Sequence, residues 1–168
     1  LLKKAGYKTA CIGKWHLGME WPTTDGKEPV GMGRHNVKNS GSNVDFAGEI
    51  SNGPTGRGFD YYFGTAVPNF PPYCFIENER TVGIPTEPKP DDMFGGAGPM
   101  LKGWRLDEIL GGLGKKAVEY IDGKGGKVKN KAFRQTAGKP FFVYMPLTAP
   151  HTPIAPAAEF IGKSKAGA

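Results

Sequence analysis

Three stretches of this chain carry a readable pattern of apolar and polar positions, and a long middle stretch carries none. Tyr7-Lys8-Thr9-Ala10-Cys11-Ile12-Gly13-Lys14 is a run of β-branched, aromatic and small residues that predicts a short strand. Leu1-Leu2-Lys3-Lys4-Ala5-Gly6, just before it, reads as the last turn of an amphipathic helix closed by a glycine cap. Leu106, Ile109, Leu110, Leu113, Ala117, Tyr120 and Ile121 form one apolar stripe at the helical period, with Asp107 and Glu108 in the first turn. Gly111, Gly112 and Gly114 interrupt that helix at about 1 kcal/mol each relative to Ala, so packing must hold it. Residues 140–147 are almost continuously apolar, the expectation for a parallel strand covered on both faces.

Each strand follows a helix end, and two such units predict an α/β fold with a mainly parallel sheet flanked by helices. Residues 19–100 are studded with Pro and Gly and hold the aromatic clusters Phe59-Asp60-Tyr61-Tyr62-Phe63 and Phe70-Pro71-Pro72-Tyr73. Structureless linkers would not carry so many aromatics, so this region reads as long active-site loops forming a pocket rim. Gly 26 and Pro 15 are about a quarter of the 168 residues, which excludes a helical bundle, while Phe 10, Tyr 6 and Trp 3 argue for a folded domain. The length suits a single domain. The Leu1 start without Met and the loop-like end from Phe160 to Ala168 lead us to expect an incomplete domain, an internal piece of a larger protein.

The net charge of +6 comes from one place, since residues 115–139 hold Lys115, Lys116, Lys124, Lys127, Lys129, Lys131, Arg134 and Lys139 against Glu119 and Asp122. Only Tyr120 and Phe133 are interleaved there, too few for a nucleic-acid groove, so the excess reads as a solvated surface and no nucleic-acid partner is expected. The two cysteines, Cys11 and Cys74, form no metal or redox spacing, and Cys11 in a strand-like run is expected as a buried free thiol. No apolar run approaches the roughly 18 residues of a membrane span. Asp91-Asp92 reads as surface, as does His35 in a Gly-rich loop.

Candidate chemistry lies at the two strand ends. Residues two apart on a strand project to one side, so Lys14 and His16 should point together past the carboxyl edge of the sheet, where open α/β sheets bind ligands. An ammonium beside an imidazole suits an anionic substrate, one neutralising charge and the other moving protons near neutral pH. Ala149-Pro150-His151-Thr152-Pro153 follows the second strand, and its prolines fix His151 at the same edge.

These residues also carry a family resemblance. Gly6-Tyr7-Lys8-Thr9-Ala10-Cys11-Ile12-Gly13-Lys14-Trp15-His16-Leu17-Gly18 resembles the second signature of the type I sulfatases, in the alkaline phosphatase-like superfamily. Gly58-Phe59-Asp60-Tyr61-Tyr62-Phe63-Gly64, Pro71-Pro72-Tyr73 and Ile76-Glu77-Asn78-Glu79-Arg80 resemble the following segments of bacterial arylsulfatases. Lys139-Pro140-Phe141-Phe142 through His151-Thr152-Pro153 resembles the strand and His loop of the same family, so the match runs along nearly the whole chain.

The resemblance implies part of an alkaline phosphatase-like sandwich and hydrolysis of a sulfated small molecule or polysaccharide by a formylglycine nucleophile with calcium. It implies that Lys14 contacts the sulfate and the formylglycine hydroxyl. His16 would take the proton that returns the nucleophile to aldehyde, and His151 would bind a sulfate oxygen and assist the leaving alcohol. Neither Cys11 nor Cys74 fits the Cys/Ser-x-Pro/Ala-x-Arg nucleophile motif, and the family's calcium-binding Asp residues have no counterpart, so both groups are expected outside this chain. The 168 residues alone are therefore expected to be inactive. Family members are usually exported or lysosomal. Two alternatives stand beside this reading: a phosphate or phosphonate ester hydrolase of the same superfamily, and a noncatalytic polyanion-binding module using the basic stretch.

Overall fold

The computed structural model describes residues 1–34, 37–123 and 140–165. His35 and most of the basic stretch lie outside them. The first strand, β1 (Lys8–Lys14), follows a single helical turn at Lys3–Ala5 that Gly6 closes in the left-handed region at φ +83°. The chain then runs through β2 (Tyr61–Thr65), β3 (Ile76–Glu77), β4 (Arg80–Thr81), β5 (Glu87–Pro88) and β6 (Pro99–Met100). A helical turn at Leu106–Glu108 leads into α1 (Ile109–Ile121), and β7 (Phe141–Tyr144) ends the regular structure of the sheet.

Five strands form one sheet in the order β4-β3-β2-β1-β7, with β5 and β6 as a separate pair. β1 is central and runs parallel to both β2 and β7, while the short β3 and β4 turn back antiparallel. The fold is α/β, a mixed sheet whose longer strands are parallel.

Alternation along β1 and β2 sorts their side chains into two cores. Ala10, Ile12, Tyr61 and Phe63 face α1 and pack on Ile109, Leu113, Ala117 and Tyr120. Cys11 and Tyr62 face the opposite way, into a layer built from Trp15, Trp21, Val44 and Ile50. The expected helical stripe is thus the buried face of α1, although Leu110 and Ile121 at its margins are exposed. One of the three glycines has a packing reason: a Cβ on Gly112 would lie 2.9 Å from the Phe75 ring. Lys116 spans the ring of Phe63 and reaches Glu77, which also accepts the Tyr61 hydroxyl at 2.7 Å.

Two features differ from the sequence expectation. Residues 19–100 contain β2, a strand beside β1 that is buried along its whole length, and residues 67–74 beyond it are buried too, so part of this stretch is core. β7, expected to be covered on both faces, has only β1 beside it among the described residues. Phe141 and Phe142 are each 40% exposed and Tyr144 46%, although Phe141 lies edge-on to Tyr120 at 6.4 Å and Tyr144 stacks on Phe59 at 6.2 Å, so among the described residues the cover of β7 is partial.

Candidate active site

The carboxyl ends of β2, β1 and β7 are drawn together at Lys14. Its α-carbon pairs with Thr65 of β2, and its backbone N–H donates to the Pro146 carbonyl beyond β7 at 2.8 Å. Such close approach requires glycine: a Cβ on Gly13 would stand 2.1 Å from the Pro146 oxygen. Lys14 is half-buried, yet its ammonium has no acidic or hydrogen-bonding partner among the described residues. Lys3 and Lys116 differ, being paired with Asp60 at 2.8 Å and Glu77 at 3.5 Å. An ammonium without a partner among the described residues is open to an anion.

β1 ends at Lys14, so His16 lies on the turn beyond and is placed by that turn rather than by strand alternation. Trp15 anchors the turn, donating its backbone N–H to Thr65 at 2.9 Å and its indole N–H to the Gly18 carbonyl at 3.0 Å. The His16 imidazole is exposed, 6.4 Å from the Phe70 ring, with no hydrogen bond among the described residues. It fronts a cavity of about 230 Å³ with Met19, Trp21, Met32, Val67 and Pro71.

His151 sits in the loop after β7, its backbone N–H donating to the Thr148 carbonyl at 3.1 Å. Its Nδ1 lies 2.6 Å from the Thr152 carbonyl, an acceptor only, so Nδ1 carries a proton and Nε2 is left for a ligand. His151 lines a second cavity of about 200 Å³ with Pro68, Leu106, Ile109, Leu110 and Ile154. Val67 lines the first cavity and the next residue, Pro68, the second. Lys14 and His16 therefore share one turn, and His151 follows the neighbouring parallel strand at the same sheet edge.

Sequence reasoning missed the polar groups around this edge. Thr65 Oγ1 and Asn69 Oδ1 are buried with no partner among the described residues, and each such atom costs about 1–3 kcal/mol. The aromatic run before Thr65 was the available signal.

The described residues do not fit the groups that the resemblance implied. No three His, Cys, Asp or Glu side chains among them gather to hold a metal ion. Both cysteines are buried and free, and burial pushes each thiol up to about 12, away from the reactive thiolate.

The sheet is mixed, with Lys14 ending β1, His16 on the turn beyond it and His151 in the loop that follows the parallel β7. The chain belongs to the sulfatase family, whose model matches residues 1–168. It is 30% identical over 193 residues to an N-acetylgalactosamine-6-O-sulfatase of Bacteroides thetaiotaomicron, a match covering 99% of this chain and 34% of that protein. It is also 30% identical over 172 residues to mouse arylsulfatase G, covering 92% of this chain and 25% of that protein. A solved sulfatase structure from a study of glycosaminoglycan metabolism by Bacteroides thetaiotaomicron superposes with a TM-score of 0.62 at 24% identity. That match covers 96% of this chain and 35% of the other, and shows the alkaline phosphatase-like fold. The chain thus spans about a third or less of the length of these relatives.

Proposed function

We propose that the whole protein hydrolyses sulfate monoesters of small molecules or polysaccharides, and that Lys14, His16 and His151 act in that reaction. The observation that carries this reading is Lys14, a half-buried residue whose ammonium has no partner among the described residues, at the edge where both histidines stand. Lys14 neutralises the sulfate, and this matters more as charge shifts toward the leaving oxygen. His16, whose ring nitrogens have no hydrogen-bond partner among the described residues, takes and returns the proton of the reacting group. His151, with Nδ1 fixed on Thr152, presents Nε2 to a sulfate oxygen and to the departing alcohol. We also infer that residues 1–168 are one incomplete part of a single catalytic domain, with residues 19–100 supplying the pocket rim. The nucleophile and calcium ligands would come from elsewhere in that domain, in keeping with the longer relatives.

The test is hydrolysis by the whole protein of 4-nitrophenyl sulfate against 4-nitrophenyl phosphate. Sulfate should be preferred, and Lys14→Ala should lower kcat/KM for it by roughly 10²–10³. Preference for phosphate, or a Lys14→Ala variant with wild-type kcat/KM, would overturn the reading. No described helix is long and apolar enough to cross a membrane.

A further inference from the structure

We propose that Tyr62 and Trp15 are positioning residues that brace the turn carrying Lys14 and His16, an inference resting on the sulfate-binding role of those two side chains. The side chains of Lys14 and His16 have no hydrogen-bonding or ionic partner among the described residues. Where they stand is therefore set largely by the backbone from Gly13 to Gly18, which is fastened at Lys14 to the Pro146 carbonyl and at Trp15 to β2 and Gly18.

Trp15 is 6% exposed and lies edge-on to Phe59 at 6.3 Å, and Phe59 in turn stacks on Tyr144 of β7 at 6.2 Å. Its backbone N–H fastens the start of the turn to β2 through Thr65, and its indole N–H fastens the end through Gly18. The Thr65 carbonyl accepts a second donor, the Tyr62 hydroxyl, at 3.0 Å, and that hydroxyl also lies 3.4 Å from the Gly13 carbonyl. A carbonyl has two lone pairs, and here both are used. Tyr62 is completely buried, so its hydroxyl has no water to turn to, and removing it would leave carbonyls at the ends of both strands less satisfied. The result is a continuous path of hydrogen bonds: Tyr62 hydroxyl to Thr65 carbonyl, Thr65 carbonyl to Trp15 backbone, Trp15 indole to Gly18 carbonyl. Lys14 and His16 flank the residue at its centre. Displacements of about 1 Å in such a site can cost on the order of a hundredfold in rate, so the brace bears on chemistry as well as folding.

The experiment compares Tyr62→Phe and Trp15→Phe with the wild-type whole protein. It reads thermal midpoint, kcat and KM for 4-nitrophenyl sulfate, the inhibition constant of inorganic sulfate, and the His16 imidazole resonances by NMR. Tyr62→Phe keeps the ring and removes one hydroxyl. At a temperature where the variant is fully folded, kcat should fall roughly tenfold. The sulfate inhibition constant should rise and the His16 resonances should move. A lower thermal midpoint with kcat, sulfate inhibition and His16 resonances all unchanged would show a merely structural role and overturn the proposal. Should Trp15→Phe not fold, Tyr62→Phe decides alone. If the wild type hydrolyses no sulfate ester, the proposed reaction fails. The brace is then judged by the His16 resonances and their response to inorganic sulfate: altered in Tyr62→Phe it stands, unaltered it falls.

Discussion

A Cβ on Gly64 would lie 1.7 Å from the carbonyl oxygen of Gly13, so the two central parallel strands meet, just before their carboxyl ends, at a distance only glycine permits. This contact sits one residue before the Lys14–Thr65 pair. Gly64→Ala should therefore force β1 and β2 apart, destabilising by roughly 3 kcal/mol, at the upper end of ordinary overpacking. Urea denaturation measures it. Gly56→Ala, where a Cβ meets nothing within 4 Å, is the control. Equal stability of the two variants would contradict the close approach.

The thiols offer a second check on the cores. Cys11 is fully buried and Cys74 1% exposed, and burial pushes both thiols up to about 12. At pH 8 in the folded protein neither should react with an aromatic disulfide reagent on the minute scale, whereas both should react at once in denaturant. Prompt labelling of either residue under native conditions would show that its layer is open.

How far the sequence revealed this arrangement depended on whether a pattern or a tertiary contact decided each feature. β1 and α1 were readable because a run of β-formers and a helical stripe are local signals, and the glycine closing the first turn is a local requirement as well. β2 escaped because its apolar run is only Tyr61, Tyr62 and Phe63, cut off by Asp60 and Gly64 and too short to stand out from the Gly- and Pro-rich stretch around it. The side-chain types at Lys14 and His16 were the sequence signal for the anion site proposed above. Their placement had no such signal, because it runs through carbonyl acceptors at Thr65 and Gly18 whose partners are set by the fold. The exposure of β7 was unreadable for the complementary reason: an apolar run says that a strand favours cover, and says nothing of what lies beside it.

Acid should reveal the clamp at the opposite end of β1. Asp60 accepts from the Thr9 backbone at 2.9 Å and hydroxyl at 3.1 Å and pairs with Lys3 at 2.8 Å. Burial alone would raise its carboxyl, but the Lys3 and Thr9 hydrogen bonds outweigh it and hold the group below the ordinary range. A lowered folded value means stability that is present above the unfolded value of about 3.9 and lost as pH falls through the folded one. Asp60→Asn should cost about 1–2 kcal/mol at pH 7. That difference from wild type should shrink as pH drops below about 4. A difference that stays constant down to pH 2 would rule out the charge as its source.

The role proposed for His151 predicts a dependence on the leaving group. Its Nδ1 is engaged by the Thr152 carbonyl at 2.6 Å, which keeps a proton on that nitrogen and leaves Nε2 for the departing oxygen. Proton donation matters most when the departing oxygen is a strong base. An alkyl or sugar alcohol needs it more than a nitrophenolate, which leaves readily as the anion. In the whole protein, His151→Ala should lower kcat by on the order of 10²–10⁴ for a sugar sulfate. For 4-nitrophenyl sulfate the loss should be roughly tenfold, because only the contact to the sulfate oxygen is removed. A series of substituted phenyl sulfates should then show rates falling more steeply with leaving-group pKa in the variant than in wild type. Parallel lines would leave His151 as an anion contact without a part in proton transfer. A thermal midpoint close to wild type is expected throughout, since the His151 side chain is exposed and its one hydrogen bond is to the adjacent residue.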